Sequence, residues 1–144
     1  MKEPKKWISL LAVALLISVT AYPQASRAKP QTMAKWEGKY PETKFMNQPL
    51  IKRPLRRILA KADYDSIPDY NLMGAIERVG DYLVTHAQVK YSDPLETFSL
   101  VFNLKDGAVY VIFGKGEEHR KFSTQNNQFN LPDDVLKKIG LMEE

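Results

Sequence analysis

The stretch Phe98-Ser99-Leu100-Val101-Phe102-Asn103-Leu104 places a large apolar side chain at every second position. A period of two puts those side chains on one face of an extended chain, so the stretch reads as a sheet strand. Asp106-Gly107 follows where a two-residue type I′ hairpin turn belongs, since that turn needs positive φ at both central residues. Ala108–Phe113, nearly all apolar, is then the returning central strand.

Further strand signals lie on both sides of this hairpin. Ala75–Val79 is a short strand, and Gly80-Asp81 turns the chain into a longer one, Tyr82–Val89. Gly114 and Gly116 permit another turn, after which Arg120–Thr124 supplies a further strand. A C-terminal helix is well punctuated: Asn130 offers an N-cap, and Pro132, Asp133 and Asp134 suit a first turn. Val135, Leu136 and Ile139 give it an apolar face, Lys137 and Lys138 suit its last turn, and Gly140 stops it. Towards the N-terminus, Leu55, Ile58, Leu59 and Ala62 recur at helical spacing from a start near Pro54, and Asp63, Asp65, Ser66 and Pro68 end that helix. The expected fold is α+β: an antiparallel meander of about five strands with an N-terminal and a C-terminal helix packed against it.

The 144 residues leave room for one such domain, assigned to 46–144. Residues 29–45, with Pro30, Gly38, Pro41 and many lysines, read as a linker or loosely docked arm that Trp36 and Tyr40 could anchor. Residues 1–28 read as an export signal. Lys2, Lys5 and Lys6 precede the apolar run Trp7–Val19; Tyr22 and Pro23 break it, and Ser26-Arg27-Ala28 offers small residues around a cleavage point after Ala28. The run is shorter than the roughly 20 apolar residues that span a bilayer. A soluble periplasmic protein, touching membrane only through the uncleaved signal, is the expectation. With no cysteine in the chain, it would be held together by packing alone.

The formal charge of +4 is mostly carried by that first segment; from residue 29 onward, 17 basic residues face 16 acidic ones. A charge-steered nucleic-acid partner is therefore not expected. No phosphate loop, dinucleotide fingerprint or metal-ligand pair occurs, so no cofactor, metal or catalytic residue is assigned. His86 and His119 read as polar residues of a strand or turn, and none of Ser66, Ser92, Ser99 and Ser123 has nucleophile-elbow surroundings. Two features stand out. Lys52, Arg53, Arg56, Arg57 and Lys61 form a basic set that is either a solvated helix face or a contact for an anionic surface. The connection Gln88–Thr97 is too long for a tight hairpin and combines a cation, an aromatic hydroxyl, a serine and two acids, so it is either a binding tip or a plain exposed connection.

The order of elements resembles the inhibitors of vertebrate lysozyme, the Ivy family of exported bacterial proteins. The likeness runs over about residues 50–140, through Ile67-Pro68-Asp69-Tyr70, Gly80-Asp81-Tyr82-Leu83-Val84, the 99–113 hairpin and Phe129-Asn130-Leu131-Pro132-Asp133-Asp134. It implies an inhibitor that inserts a loop into the cleft of a lysozyme or another glycan hydrolase. The family's loop reads Cys-Lys-Pro-His-Asp-Cys and is stapled by a disulfide. Here that place is held by Gln88, Val89, Lys90, Tyr91, Ser92 and Asp93, with Tyr91 where the histidine would be. These six are the candidate partner-binding residues of a cysteine-less, divergent member whose unstapled tip should be flexible. An immunity or envelope interaction protein with another target, and less favourably a small-ligand protein or enzyme, are the alternatives. The oligomeric state is left open.

Overall fold

Six strands form one antiparallel sheet over the described residues, 28–142, of the computed structural model. Residues 1–27 of the expected export signal lie outside the described residues. The strands are β1 (Leu72–Met73), β2 (Glu77–Val79), β3 (Tyr82–Gln88), β4 (Glu96–Asn103), β5 (Val109–Lys115) and β6 (Glu118–Ser123). β3 to β6 are sequential neighbours, and β1 and β2 both pair with β3 along its outer edge. The α+β meander is therefore present, with the expected Ala75–Val79 strand reduced to β2 and a further short strand, β1, on the same edge. Ile76 separates β1 from β2. It leaves the sheet ladder, donates its amide to Lys39 O (2.8 Å) and accepts from Gly38 N (2.8 Å), so the edge breaks between β1 and β2.

The β4–β5 hairpin closes differently from the expected type I′ turn. Asn103 N donates to Ala108 O, and Gly107 N bonds back to Asn103 O (2.9 Å each), which leaves four residues, Leu104–Gly107, in the loop. Only Gly107 has positive φ (+75°), so a single αL position is needed rather than two. Asp106 Oδ1 accepts from Ala108 N and Asn103 Oδ1 from Lys105 N, side-chain bonds that favour the longer loop. The β5–β6 hairpin is the tight one: Lys115 faces Glu118, and Gly116 (φ +59°) occupies the first central position, as a type II′ turn requires.

The helices are α1 (Glu42–Met46), α2 (Pro49–Ile58), α3 (Lys61–Ser66) and α4 (Asp133–Lys138), with 3₁₀ turns at Pro30–Trp36 and Ile67–Asp69. α2 begins at Pro49, not near Pro54, which sits inside it and leaves one intrahelical bond unmade. Ile51 and Leu55, four apart, are the residues α2 buries. The chain turns extended at Leu59 (φ −99°, ψ 144°), so Asp63, Asp65 and Ser66 belong to a second helix instead of ending the first. Ala62, expected on the buried face, is exposed.

Residues 29–45 differ from the linker or loosely docked arm that was expected. Met33 and Phe45 are fully buried, and Trp36 packs edge-on against Phe45 with centroids 5.5 Å apart. Tyr40, the other expected anchor, is 61% exposed. At the other end the N-cap position of α4 is Pro132, which makes no side-chain cap bond, rather than Asn130. It stops as expected, since Gly140 N bonds Lys137 O and Leu141 N bonds Leu136 O, the double closure that needs αL at Gly140 (+71°).

Both faces of the sheet are covered. Leu83, Ala87, Phe98, Leu100, Phe102, Val109, Val111 and Phe113 pack against the N-terminal helices. Val84, Val101, Tyr110 and Ile112 pack against Leu131, Val135 and Ile139 around α4. This second layer explains why Ser99 and Asn103, the polar positions of β4, are buried as well. It reaches only part of the sheet. Register sets His86 beside Ser99 on one rung and Gln88 beside Thr97 two rungs on, nearer the loop that joins β3 to β4.

Candidate functional site

β3 delivers the chain to Gln88 and β4 takes it back at Glu96, with Gln88 facing Thr97 across the ladder. Val89 N donates to Glu96 O (3.0 Å) and closes the base of the loop. Inside it, Ser92 works in both directions. Its Oγ donates to Val89 O (3.2 Å) and accepts from Glu96 N (2.8 Å), so one hydroxyl satisfies two backbone groups of a short connection. Gly116 N, in the adjoining β5–β6 turn, donates to Leu95 O (2.9 Å) and ties the loop to its neighbour. The flexible tip expected without a disulfide is thus a turn braced by four hydrogen bonds.

The bracing leaves Tyr91 outermost. It is 91% exposed and holds φ at +62°, a conformation that costs a bulky L residue about 1–3 kcal/mol. Lys90 Nζ stands 4.8 Å from the centroid of the Tyr91 ring, a cation–π arrangement that presents charge and aromatic surface together. The six candidate residues therefore divide. Lys90, Tyr91 and Asp93 are exposed, whereas Gln88, Val89 and Ser92 are half-buried and build the frame. Leu95, 49% exposed, joins the outer surface and was not among the candidates. Its signal was its place in the same long connection.

Two other constellations are near. His86 Nδ1 lies 2.8 Å from Ser99 Oγ, a pair joined by the β3–β4 register. Ser99 is 3% exposed, so its hydroxyl is closed to a substrate and the pair acts as a cross-strand tie. Desolvation of the ring holds the His86 pKa below the ordinary imidazole value, which favours the neutral form. Beside His86 a cavity of about 390 Å³ opens between the broken edge strand and α4, where Glu77 pairs with Lys138. Among the described residues no group of three or more His, Cys, Asp or Glu is placed to hold a metal ion.

The basic set is split by the break between α2 and α3. Lys52 Nζ donates to Asn47 Oδ1 (3.0 Å), Arg56 stacks over Tyr64, and Lys61 pairs with Asp65. Arg53 and Arg57 are exposed on α2. Comparison with known proteins returns no family model, no curated protein and no solved structure that matches this chain.

Proposed function

We propose that the protein is an exported, periplasmic binding protein of the lysozyme-inhibitor type, which occludes the cleft of a glycan-cleaving hydrolase with its 88–97 loop. The observation that supports this reading is the fully presented Tyr91 on a braced turn, with the Lys90 ammonium over its ring. An aromatic side chain held outward in a strained backbone conformation contributes nothing to the core, and its cost is offset only by something it touches. Glycosidase clefts carry two carboxylates, which suit a cation and a phenolic donor arriving on one narrow tip. Bracing by Ser92 reduces the ordering cost that an unstapled loop would otherwise incur on docking. The resemblance to the lysozyme inhibitors points to the same loop and the same class of target.

Titration calorimetry of the chain from Lys29 against a panel of lysozymes and bacterial glycan hydrolases tests the reading. Lys90→Ala should weaken binding more at low salt than at high salt, because it removes a screened charge. Tyr91→Ala should weaken it with little salt dependence, because it removes buried area and one hydrogen bond. Binding to none of the panel, or binding indifferent to both substitutions, would exclude this function.

A further inference from the structure

We propose that the outward face of α2 docks the protein, by charge alone, onto a lipid bilayer that contains anionic phospholipid. The contact uses Lys52, Arg53, Arg56 and Arg57 and no residue of the 88–97 loop, so it stands or falls separately from the function proposed above. It adds a membrane contact to a chain expected to meet a membrane only through its export signal.

The first observation is where the charge lies. Residues 29–61 hold nine basic and two acidic residues, whereas residues 62–144 hold eight and fourteen. The near balance from Lys29 onward therefore hides a separation, +7 up to Lys61 against −6 beyond it. The ion pairs follow the same division. Asp63, Glu77, Asp81 and Glu96 pair with Arg120, Lys138, Lys105 and Lys115, so much of the acidic part is neutralised within itself. Among the described residues, no carboxylate pairs with any of the four α2 cations.

The second observation is the geometry of the face. Ile51 and Leu55 are buried in the core, and the helical repeat sets Arg53 opposite them, with Lys52, Arg56 and Arg57 on its flanks. The four cations fall within about 8 Å along the helix axis. Arg53, Arg56 and Arg57 are exposed, Lys52 is half-buried, and α2 contains no acidic residue. Two of the four are already steadied. Lys52 Nζ donates to Asn47 Oδ1 (3.0 Å) and the Arg56 guanidinium lies 5.4 Å from the centroid of the Tyr64 ring, so less side-chain freedom is lost on docking.

Together these favour a bilayer over other anionic partners. The face is convex, and α2 lines neither the cavity beside His86 nor the one between α3 and the β5–β6 turn. It offers charge without a pocket, which suits headgroups that diffuse and gather rather than a ligand of fixed shape. A polyanion that wraps the chain would also meet its acidic part, whereas a flat surface meets one side only. α2 cannot roll to insert, because Ile51 and Leu55 are committed to the core, and no described helix is long and apolar enough to cross a membrane. The contact is therefore peripheral and reversible, with about a five-fold gain in partitioning for each cation held near the surface.

Vesicle co-sedimentation tests this with the chain from Lys29, which contains every core residue on both faces of the sheet and lacks the apolar run Trp7–Val19. The vesicles are phosphatidylcholine alone, or phosphatidylcholine with one third phosphatidylglycerol. Binding to the mixed vesicles at low salt, none to phosphatidylcholine, and release at high salt are expected. Arg53→Gln combined with Arg57→Gln should lower partitioning about twenty-five-fold. Lysine at both positions should retain it, because a headgroup surface reads the charge and not the guanidinium fork. Lys121→Gln combined with Lys137→Gln removes the same charge from the α4 side, where Lys121 lies over Phe129, and should leave partitioning nearly unchanged. Equal binding to both kinds of vesicle, or equal losses from the two double glutamine variants, would overturn the proposal. So would a preference for duplex DNA over the mixed vesicles, or salt-sensitive self-association in place of vesicle binding, which would assign the face to a second copy of the chain.

Discussion

Tyr91 carries the backbone strain of the loop in one residue, with φ at +62° and no glycine to relieve it. Replacing it with glycine removes the αL penalty but gives the unfolded chain more freedom; the net should be a gain of roughly 1 kcal/mol. Tyr91→Ala keeps the penalty and should leave stability nearly unchanged. Urea denaturation of the two variants separates them, and equal stabilities would mean that the conformation is not strained. His86 makes a second residue-scale claim. Its folded pKa lies below the ordinary value of 6.5, so between the two the unfolded chain binds more protons than the folded one. Stability should therefore be complete above pH 6.5 and fall as the pH drops below it. His86→Asn should flatten that part of the melting-temperature profile, and an unchanged slope would assign it to other groups.

At the scale of elements, Gly107 closes the β4–β5 hairpin under two constraints. Its φ is +75°, and a Cβ there would sit 3.2 Å from Pro30 Cγ, pressing on the N-terminal 3₁₀ turn. Gly107→Val should cost about 2 kcal/mol or more, since a β-branched residue resists that φ and the contact has little room to yield. A melting temperature like that of the parent would contradict the turn geometry. The hairpin was legible because strand periodicity is strict, and its turn was misread because Asp106-Gly107 signals a reversal without fixing how many residues make it. α2 was misplaced because Pro49 and Pro54 both suit a first turn, and nothing local marks Leu59 as the break. Met33, Trp36 and Phe45 are too widely spaced to show any period, so their segment read as an arm although it fills the core.

At the scale of the whole molecule, helices on both faces of the meander bury the sheet strands, and the 88–97 connection and the β5–β6 turn meet at its loop end. The loop itself could be read from its length and mixture of groups. Its bracing could not, because Ser92 acts on partners three and four residues away only once β3 and β4 are in register. The +4 charge gave no guide to the loop, since most of it belongs to residues 1–28. Occlusion of a hydrolase cleft makes the central claim competitive by construction. The most direct measurement is the steady-state rate of a responsive lysozyme or glycan hydrolase against substrate concentration at several concentrations of this protein. The account expects apparent KM to rise with kcat unchanged, and Tyr91→Ala to abolish the effect. A fall in kcat at constant KM, or inhibition untouched by Tyr91→Ala, would contradict it.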